Sequence, residues 1–93
     1  MRRIVWTDHA LDELVQIHDY IADFSPSAAR RFVMRLRSAG ESLDYFADRG
    51  RLLANGAREL VIVRPYAIRY LVSTSLVEII DIRHSARKSN NQA

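Results

Sequence analysis

The chain has 93 residues and no cysteine, which excludes a disulfide framework and any cysteine-based zinc site or nucleophile. Apolar residues make up 48% of it and charged residues 27%, the proportions of a folded soluble domain. We therefore predict one domain over residues 1–93, with a polar tail at about 88–93 that we expect to be frayed. No apolar run approaches the ~20 residues of a membrane span, and no signal peptide is recognisable, so a cytoplasmic protein is expected.

The positive charge is concentrated in the second half of the chain. Residues 1–48 hold six arginines and eight acids, whereas residues 49–93 hold seven arginines, one lysine and three acids. Arginine presents a planar fork that suits carboxylates and phosphates. Genomic base composition also explains a preference for arginine over lysine, but it does not explain the asymmetry. We expect an acidic partner for the second half.

The chain begins with a predicted strand and helix. Arg3–Trp6 is a short β-branched and aromatic run, typical of a strand, and Thr7 or Asp8 then caps a helix. Apolar residues recur at helical spacing along one stripe: Ala10, Leu14, Ile17, Ile21 and Phe24. The acids fall on what we predict to be the outer face: Asp8, Asp12, Glu13, Asp19 and Asp23.

A second helix follows at once and makes a helical hairpin. Ser25 is the predicted N-cap and Pro26 the first helical residue. The apolar stripe continues at the same period: Ala29, Phe32, Val33, Leu36, Gly40 and Leu43. The polar face of this helix is basic: Arg30, Arg31, Arg35 and Arg37.

Three strands fill the last third, at Arg58–Val63, Tyr66–Val72 and Leu76–His84. Their short connections require antiparallel pairing. The predicted fold is α+β in the order β-α-α-β-β-β, with an antiparallel sheet packed against an antiparallel helical hairpin. The first strand joins the sheet by a crossover through the hairpin, and its partner strand is left undetermined.

Each predicted strand of the last third carries a basic residue among apolar ones, Arg58, Arg69 and Arg83. Strict alternation groups Arg83 with Val77, Ile79 and Asp81, and His84 with Ile80 and Ile82. One interpretation is an anion-binding surface of three arginines on an open sheet face. The other is that Glu59, Glu78 and Asp81 pair with these arginines across strands. The three histidines are not spaced as metal ligands, so neither a metal nor a cofactor is expected.

Five segments in this order resemble the ParE-type toxins of the ParE/RelE superfamily, the toxin half of type II toxin–antitoxin pairs. They are TDHALDEL (7–14), IHDYIADFSPSAARRF (17–32), RELV (58–61), PYAIRY (65–70) and VEIIDIRHSAR (77–87). The resemblance covers nearly the whole chain and rests on the ordered set. The HSAR ending is similar to the His-Gly-Ala-Arg type ending of ParE-like members, with Ser85 in place of glycine.

The resemblance implies a growth-arresting toxin that poisons DNA gyrase and is neutralised in a hetero-oligomeric complex by a cognate, ParD-like antitoxin. On this hypothesis the protein has no catalytic residue of its own. The target contact is placed at the end of the last strand, with two further arginines: Arg83, His84, Arg87, Lys88, Arg69 and Arg58.

The alternative is a RelE-like, ribosome-dependent mRNA endoribonuclease, since the same superfamily hosts both activities. Its catalytic residues would be Arg58, Arg69, Arg83 and His84. RelE-like toxins typically use lysines, arginines and a C-terminal tyrosine or histidine. This chain has no lysine before Lys88 and no tyrosine after Tyr70, which favours gyrase poisoning. A third hypothesis is a degenerate toxin that only binds its antitoxin.

Overall fold

A computed structural model of the chain describes residues 1–61 and 64–84. In chain order the elements are β1 (Arg3–Trp6), α1 (Asp8–Ala22), α2 (Pro26–Glu41), a 3₁₀ helix (Ser42–Asp44), β2 (Arg51–Leu52), β3 (Arg58–Leu60), β4 (Tyr66–Val72) and β5 (Leu76–His84). The end of the predicted strand Arg58–Val63, the residues Ser85, Arg87 and Lys88, and the tail at 88–93 lie outside the described residues, wholly or in part.

The predicted α+β architecture is confirmed, with two refinements in the sheet. The strand order is β1-β5-β4-β3-β2. β1 pairs with β5 in parallel, because the crossover through the helical hairpin is long enough to return the chain in the same direction. The other described pairs are antiparallel. β2 was not predicted; its two residues pair with β3 and are too few to show a period in the sequence.

Both helices begin at the caps that the sequence predicts. The Thr7 hydroxyl accepts a hydrogen bond from the backbone N–H of Ala10, and the Ser25 hydroxyl accepts one from Ala28. Each bond satisfies one of the four N–H groups that a helix leaves unpaired at its start. The ends are less well predicted. α1 stops at Ala22, so Phe24 falls outside the helix and is 77% exposed, not part of the core stripe.

The core lies between the two helices and one side of the sheet. Its helical members are Ala10, Leu14, Ile17 and Leu36, and its sheet members include Leu60, Tyr66, Ile68, Tyr70, Val77, Ile79 and Ile82. Tyr70 is fully buried, and its hydroxyl donates to the carbonyl of Ala47 and accepts from the N–H of Gly50. The loop between α2 and β2 is thereby fastened to β4. Among the described residues, no helix is long and apolar enough to cross a bilayer.

A β-bulge at Ile80 divides β5 into two parts. Arg69 of β4 faces Asp81, whereas the next residue, Tyr70, faces Ile79, so Ile80 has no partner on β4. The extra residue reverses the alternation of side chains along β5. The predicted grouping of Arg83 with Val77 and Ile79 is therefore wrong, because those two residues face the helices.

Helix α2 approaches the sheet closely at Gly40. A Cβ atom at this position would lie 2.6 Å from Cζ2 of Trp6 and 2.9 Å from Cδ1 of Ile79. The Trp6 indole is held in place because its Nε1 donates to Glu41 at 2.9 Å. The absence of a side chain at residue 40 allows the helix to rest directly on the indole ring.

We expect Gly40→Ala to destabilise the protein by up to about 2 kcal/mol, which is the overpacking cost less the gain in helix propensity. The same change in an exposed helix interior stabilises by about 1 kcal/mol, but here the overpacking against Trp6 costs about 1–3 kcal/mol. Urea unfolding measures the difference, with Ser38→Ala on the exposed face of α2 as the control. A Gly40→Ala variant as stable as the native chain would contradict this account.

Candidate functional site

The predicted site residues lie on both sides of the sheet, and do not form one surface. Arg58 pairs with Tyr70 and His84 with Tyr66, so both lie on the side that faces the helices. Arg69 and Arg83 lie on the opposite side, with Asp81. Arg87 and Lys88 lie outside the described residues. The predicted face of three arginines is therefore wrong: at most two of the three share a side.

Arg69 is held by an ion pair. Its Nε donates to Oδ1 of Asp81 at 2.7 Å and its Nη2 donates to Oδ2, which makes a bidentate pair across β4 and β5. This hydrogen bonding raises the pKa of the Arg69 guanidinium. Next to it, Arg51 Nη2 donates to Glu59 at 2.9 Å, and Glu59 faces Arg69 across β3 and β4. The cross-strand interpretation is thus confirmed for Arg69, which is engaged with protein carboxylates.

Arg58 has a different environment. Its Nη1 donates to the carbonyl of Gly50 at 2.8 Å and, at 3.4 Å, to that of Asp48. No ion pair involves Arg58 within the described part of the chain, so the cross-strand interpretation does not hold for this arginine. The guanidinium instead braces the turn into β2. Tyr70, its neighbour on β4, has a pKa raised by burial.

Arg83 and His84 end β5 and point to opposite sides. Arg83 is partly exposed, lies opposite Ala67, and makes no ion pair with any described carboxylate. The predicted pairing of Arg83 with an acid is not observed there, since Asp81 is taken by Arg69. The His84 ring packs edge-on against Tyr66, with ring centroids 5.2 Å apart, and its Nδ1 is buried without a hydrogen-bond partner.

Glu13 is a polar residue of this region that the sequence analysis placed on the solvent face. Its Oε1 instead accepts a hydrogen bond from the N–H of Ile82 at 2.7 Å, and its Oε2 lies 3.4 Å from Nε2 of His9. The carboxylate thus covers the edge of β5 beyond the last residue of β1. Burial raises the pKa of Glu13, and the hydrogen bond from Ile82 opposes that shift.

A cavity of about 280 Å³ lies beside Glu13, between α1 and the end of β5. Its walls carry both polar and apolar groups: Glu13, Gln16, Ile17, Tyr20, Tyr66, Ile82 and His84. Of the predicted site residues that the structure describes, only His84 lines it. Among the described residues, no group of three or more histidines, aspartates and glutamates is placed to hold a metal ion.

The fold and the order of these elements are those of a known family. Residues 4–89 match the family model described as "ParE toxin of type II toxin-antitoxin system, parDE", and the chain belongs to that family. It is a toxin of the ParE/RelE type from a type II toxin–antitoxin system.

Relatives and a solved structure support the assignment. The chain is 52% identical over 87 residues to "Toxin RelE2" of Caulobacter vibrioides, covering 94% of this chain and 99% of the relative. It is 38% identical over 86 residues to "Putative toxin Y4kP" of Sinorhizobium fredii, covering 90% and 88%. It also resembles a chain of the solved "Chromosomal ParDE TA system from P. aeruginosa", with a TM-score of 0.81 and 26% identity over 90% of this chain and 96% of that one.

We expect Asp81→Asn to destabilise the fold by about 1–3 kcal/mol, because it leaves the partly buried Arg69 without its charged acceptor. Arg51→Gln is the control: it removes an ion pair whose arginine is largely exposed, and it should cost less than about 1 kcal/mol. Urea unfolding measures both, and a cycle with Arg69→Gln isolates the pair. Equal losses of unfolding free energy for Asp81→Asn and Arg51→Gln would show that the Arg69–Asp81 pair stabilises the fold no more than an exposed ion pair does.

Proposed function

We propose that the protein arrests growth by binding and poisoning DNA gyrase in the cytoplasm, without catalysis of its own. The observation that carries the proposal is the dispersal of the residues that an endoribonuclease would need. Arg58 and His84 share a side of the sheet, but Tyr70 and Tyr66, their partners on β4, are separated by about 13 Å of strand. Arg69 and Arg83 are on the other side, and Arg69 is neutralised by Asp81.

In-line cleavage of RNA requires an acid or base and cations around one phosphate. The described side chains do not converge in that way. A binding protein has no such requirement, since it needs only a complementary surface. We place the target contact at the end of β5, where Arg83 makes no ion pair with a described carboxylate. Arg87 and Lys88 follow four and five positions later in the sequence and add two more basic side chains to the proposed contact.

The second candidate function is the ribosome-dependent endoribonuclease. It is favoured by the names of the relatives, one of which is a RelE toxin at 52% identity. It is also favoured by His84, which lines a cavity together with the carboxylate of Glu13. A histidine and a carboxylate can act as a general acid and base. The two candidates give opposite results in a single pair of assays.

We propose a ParD-like antitoxin as the partner of the chain in a hetero-oligomeric complex, which is supported by the likeness of the chain to one in the ParDE system of P. aeruginosa. An apolar groove between α1 and α2, with a cavity volume of about 350 Å³, suits an amphipathic helix of this antitoxin. Leu11, Val15 and Val33 line it, and Val15 is 59% exposed. Arg37 at its edge suits an acidic residue of the partner.

The target is tested with one preparation of toxin in two assays. We expect inhibition of gyrase supercoiling with accumulation of cleaved DNA, and intact ribosome-bound messages. Arg83→Gln should weaken the inhibition about tenfold, the effect of one lost charge-assisted hydrogen bond, whereas Arg30→Gln on the exposed face of α2 should not. Messages cut at defined positions, with supercoiling unaffected, would establish the endoribonuclease instead.

The antitoxin groove is tested by growth. Val15→Glu places a charge in the apolar groove, and we expect it to abolish rescue by the co-expressed antitoxin while growth arrest by the toxin persists. Ser27→Glu, which adds the same charge at an exposed position of α2 outside the groove, is the control and should leave rescue intact. Full rescue of the Val15→Glu variant would place the antitoxin elsewhere.

A further inference from the structure

We propose that the toxin has a nucleotide-binding site at the end of the sheet opposite to Arg83 and His84. A cavity of about 490 Å³ opens there, within the range of about 300–1,000 Å³ that is typical of small-ligand sites. Ala47, Leu52, Gly56 and Val72 contribute apolar surface to it, and the other lining residues are polar or aromatic: Arg2, Tyr45, Asp48 and Arg58. The target contact that we place at the end of β5 does not include this cavity.

The two arginines are oriented by the backbone and keep donors to spare. Arg2 Nε donates to the carbonyl of Ser73 at 2.7 Å, and Arg58 Nη1 donates to that of Gly50 at 2.8 Å. An arginine carries five N–H donors, so each guanidinium retains several after these contacts. Neither is within ion-pair distance of a described carboxylate, in contrast to Arg51 and Arg69. Two guanidinium groups that are held by the backbone and have no ion-pair partner in one cavity suit a phosphate group.

The other two residues favour a nucleotide over a bare phosphate. Tyr45 is 68% exposed on the cavity wall, where its ring offers a surface on which a base can stack. The carboxylate of Asp48 would repel a second anion, but it can accept hydrogen bonds from ribose hydroxyls, as acidic residues do in dinucleotide sites. The lining thus provides a group for the phosphate, for the sugar and for the base.

Calorimetric titration of the full-length toxin with AMP, adenosine and inorganic phosphate tests the proposal. We expect saturable binding of AMP, and binding at least tenfold weaker for adenosine and for phosphate, because each lacks part of the contacts. A short single-stranded oligonucleotide forms a further arm: tighter binding than AMP identifies a nucleotide within a strand as the ligand, and weaker binding identifies the free mononucleotide. Absence of AMP binding, or equal binding of AMP and phosphate, would overturn the proposal.

Variants locate the site. Arg2→Gln and Tyr45→Ala should each lower the affinity for AMP about tenfold, whereas Arg30→Gln, which removes the same charge from α2, should not. Tyr45 is largely exposed, so its loss should leave the unfolding transition in urea unchanged and a loss of binding would not reflect misfolding. Unchanged affinity in both variants would place the nucleotide outside this cavity. Gyrase inhibition by Tyr45→Ala should equal that of the native toxin, which separates the two sites.

Discussion

One threonine joins the helical layer to the sheet. The Thr7 hydroxyl caps α1 by accepting from Ala10, and it lies 2.9 Å and 3.0 Å from the carbonyl oxygens of Ile79 and Ile80, to which it can donate. Its backbone N–H also donates to Ile79. The residue that caps the helix therefore binds the carbonyl groups of the bulged residue Ile80 and of Ile79 before it. Because the bulge sets which side every later residue of β5 faces, the positions of Asp81, Arg83 and His84 depend on this junction.

The bulge also distributes charge across the sheet. It moves Asp81 away from the core and opposite Arg69, so a carboxylate that strict alternation would bury beside Ile79 instead neutralises an arginine. The next residue, Ile82, again places an apolar side chain in the core. As a result, Arg69 is held in an ion pair, whereas Arg83 at the end of the strand has no ion-pair partner among the described residues. Without the extra residue, Asp81 and Arg83 would lie on the same side of the sheet as Val77 and Ile79, and Arg69 would not face Asp81.

The sequence predicts local features well and non-local ones less well. Caps and helical period are properties of a few adjacent residues, so Thr7, Ser25 and the two helices were found. The side reached by Arg58 and the ion pair of Arg69 depend on register between strands. The adjacent apolar pair Ile79-Ile80 breaks the alternation of β5 and is a signal from which the bulge could have been predicted. Likewise, Glu13 stands three residues after Ala10 and four before Ile17, which places it beside the buried stripe.

The parallel pairing of β1 with β5 joins opposite ends of the chain, Arg3 with Leu76 and Trp6 with Ile79. A contact between segments so far apart forms only after the intervening chain is available, and loop closure makes it slow. During synthesis, β1 can therefore pair only after β5 has emerged from the ribosome. The cavity beside Glu13 is lined by residues of α1, β4 and β5, so it too forms only after the last strand has been made. The surface at the end of β5 is therefore absent from a partly synthesised chain, and any partner that recognises this surface binds only after β5 has been synthesised.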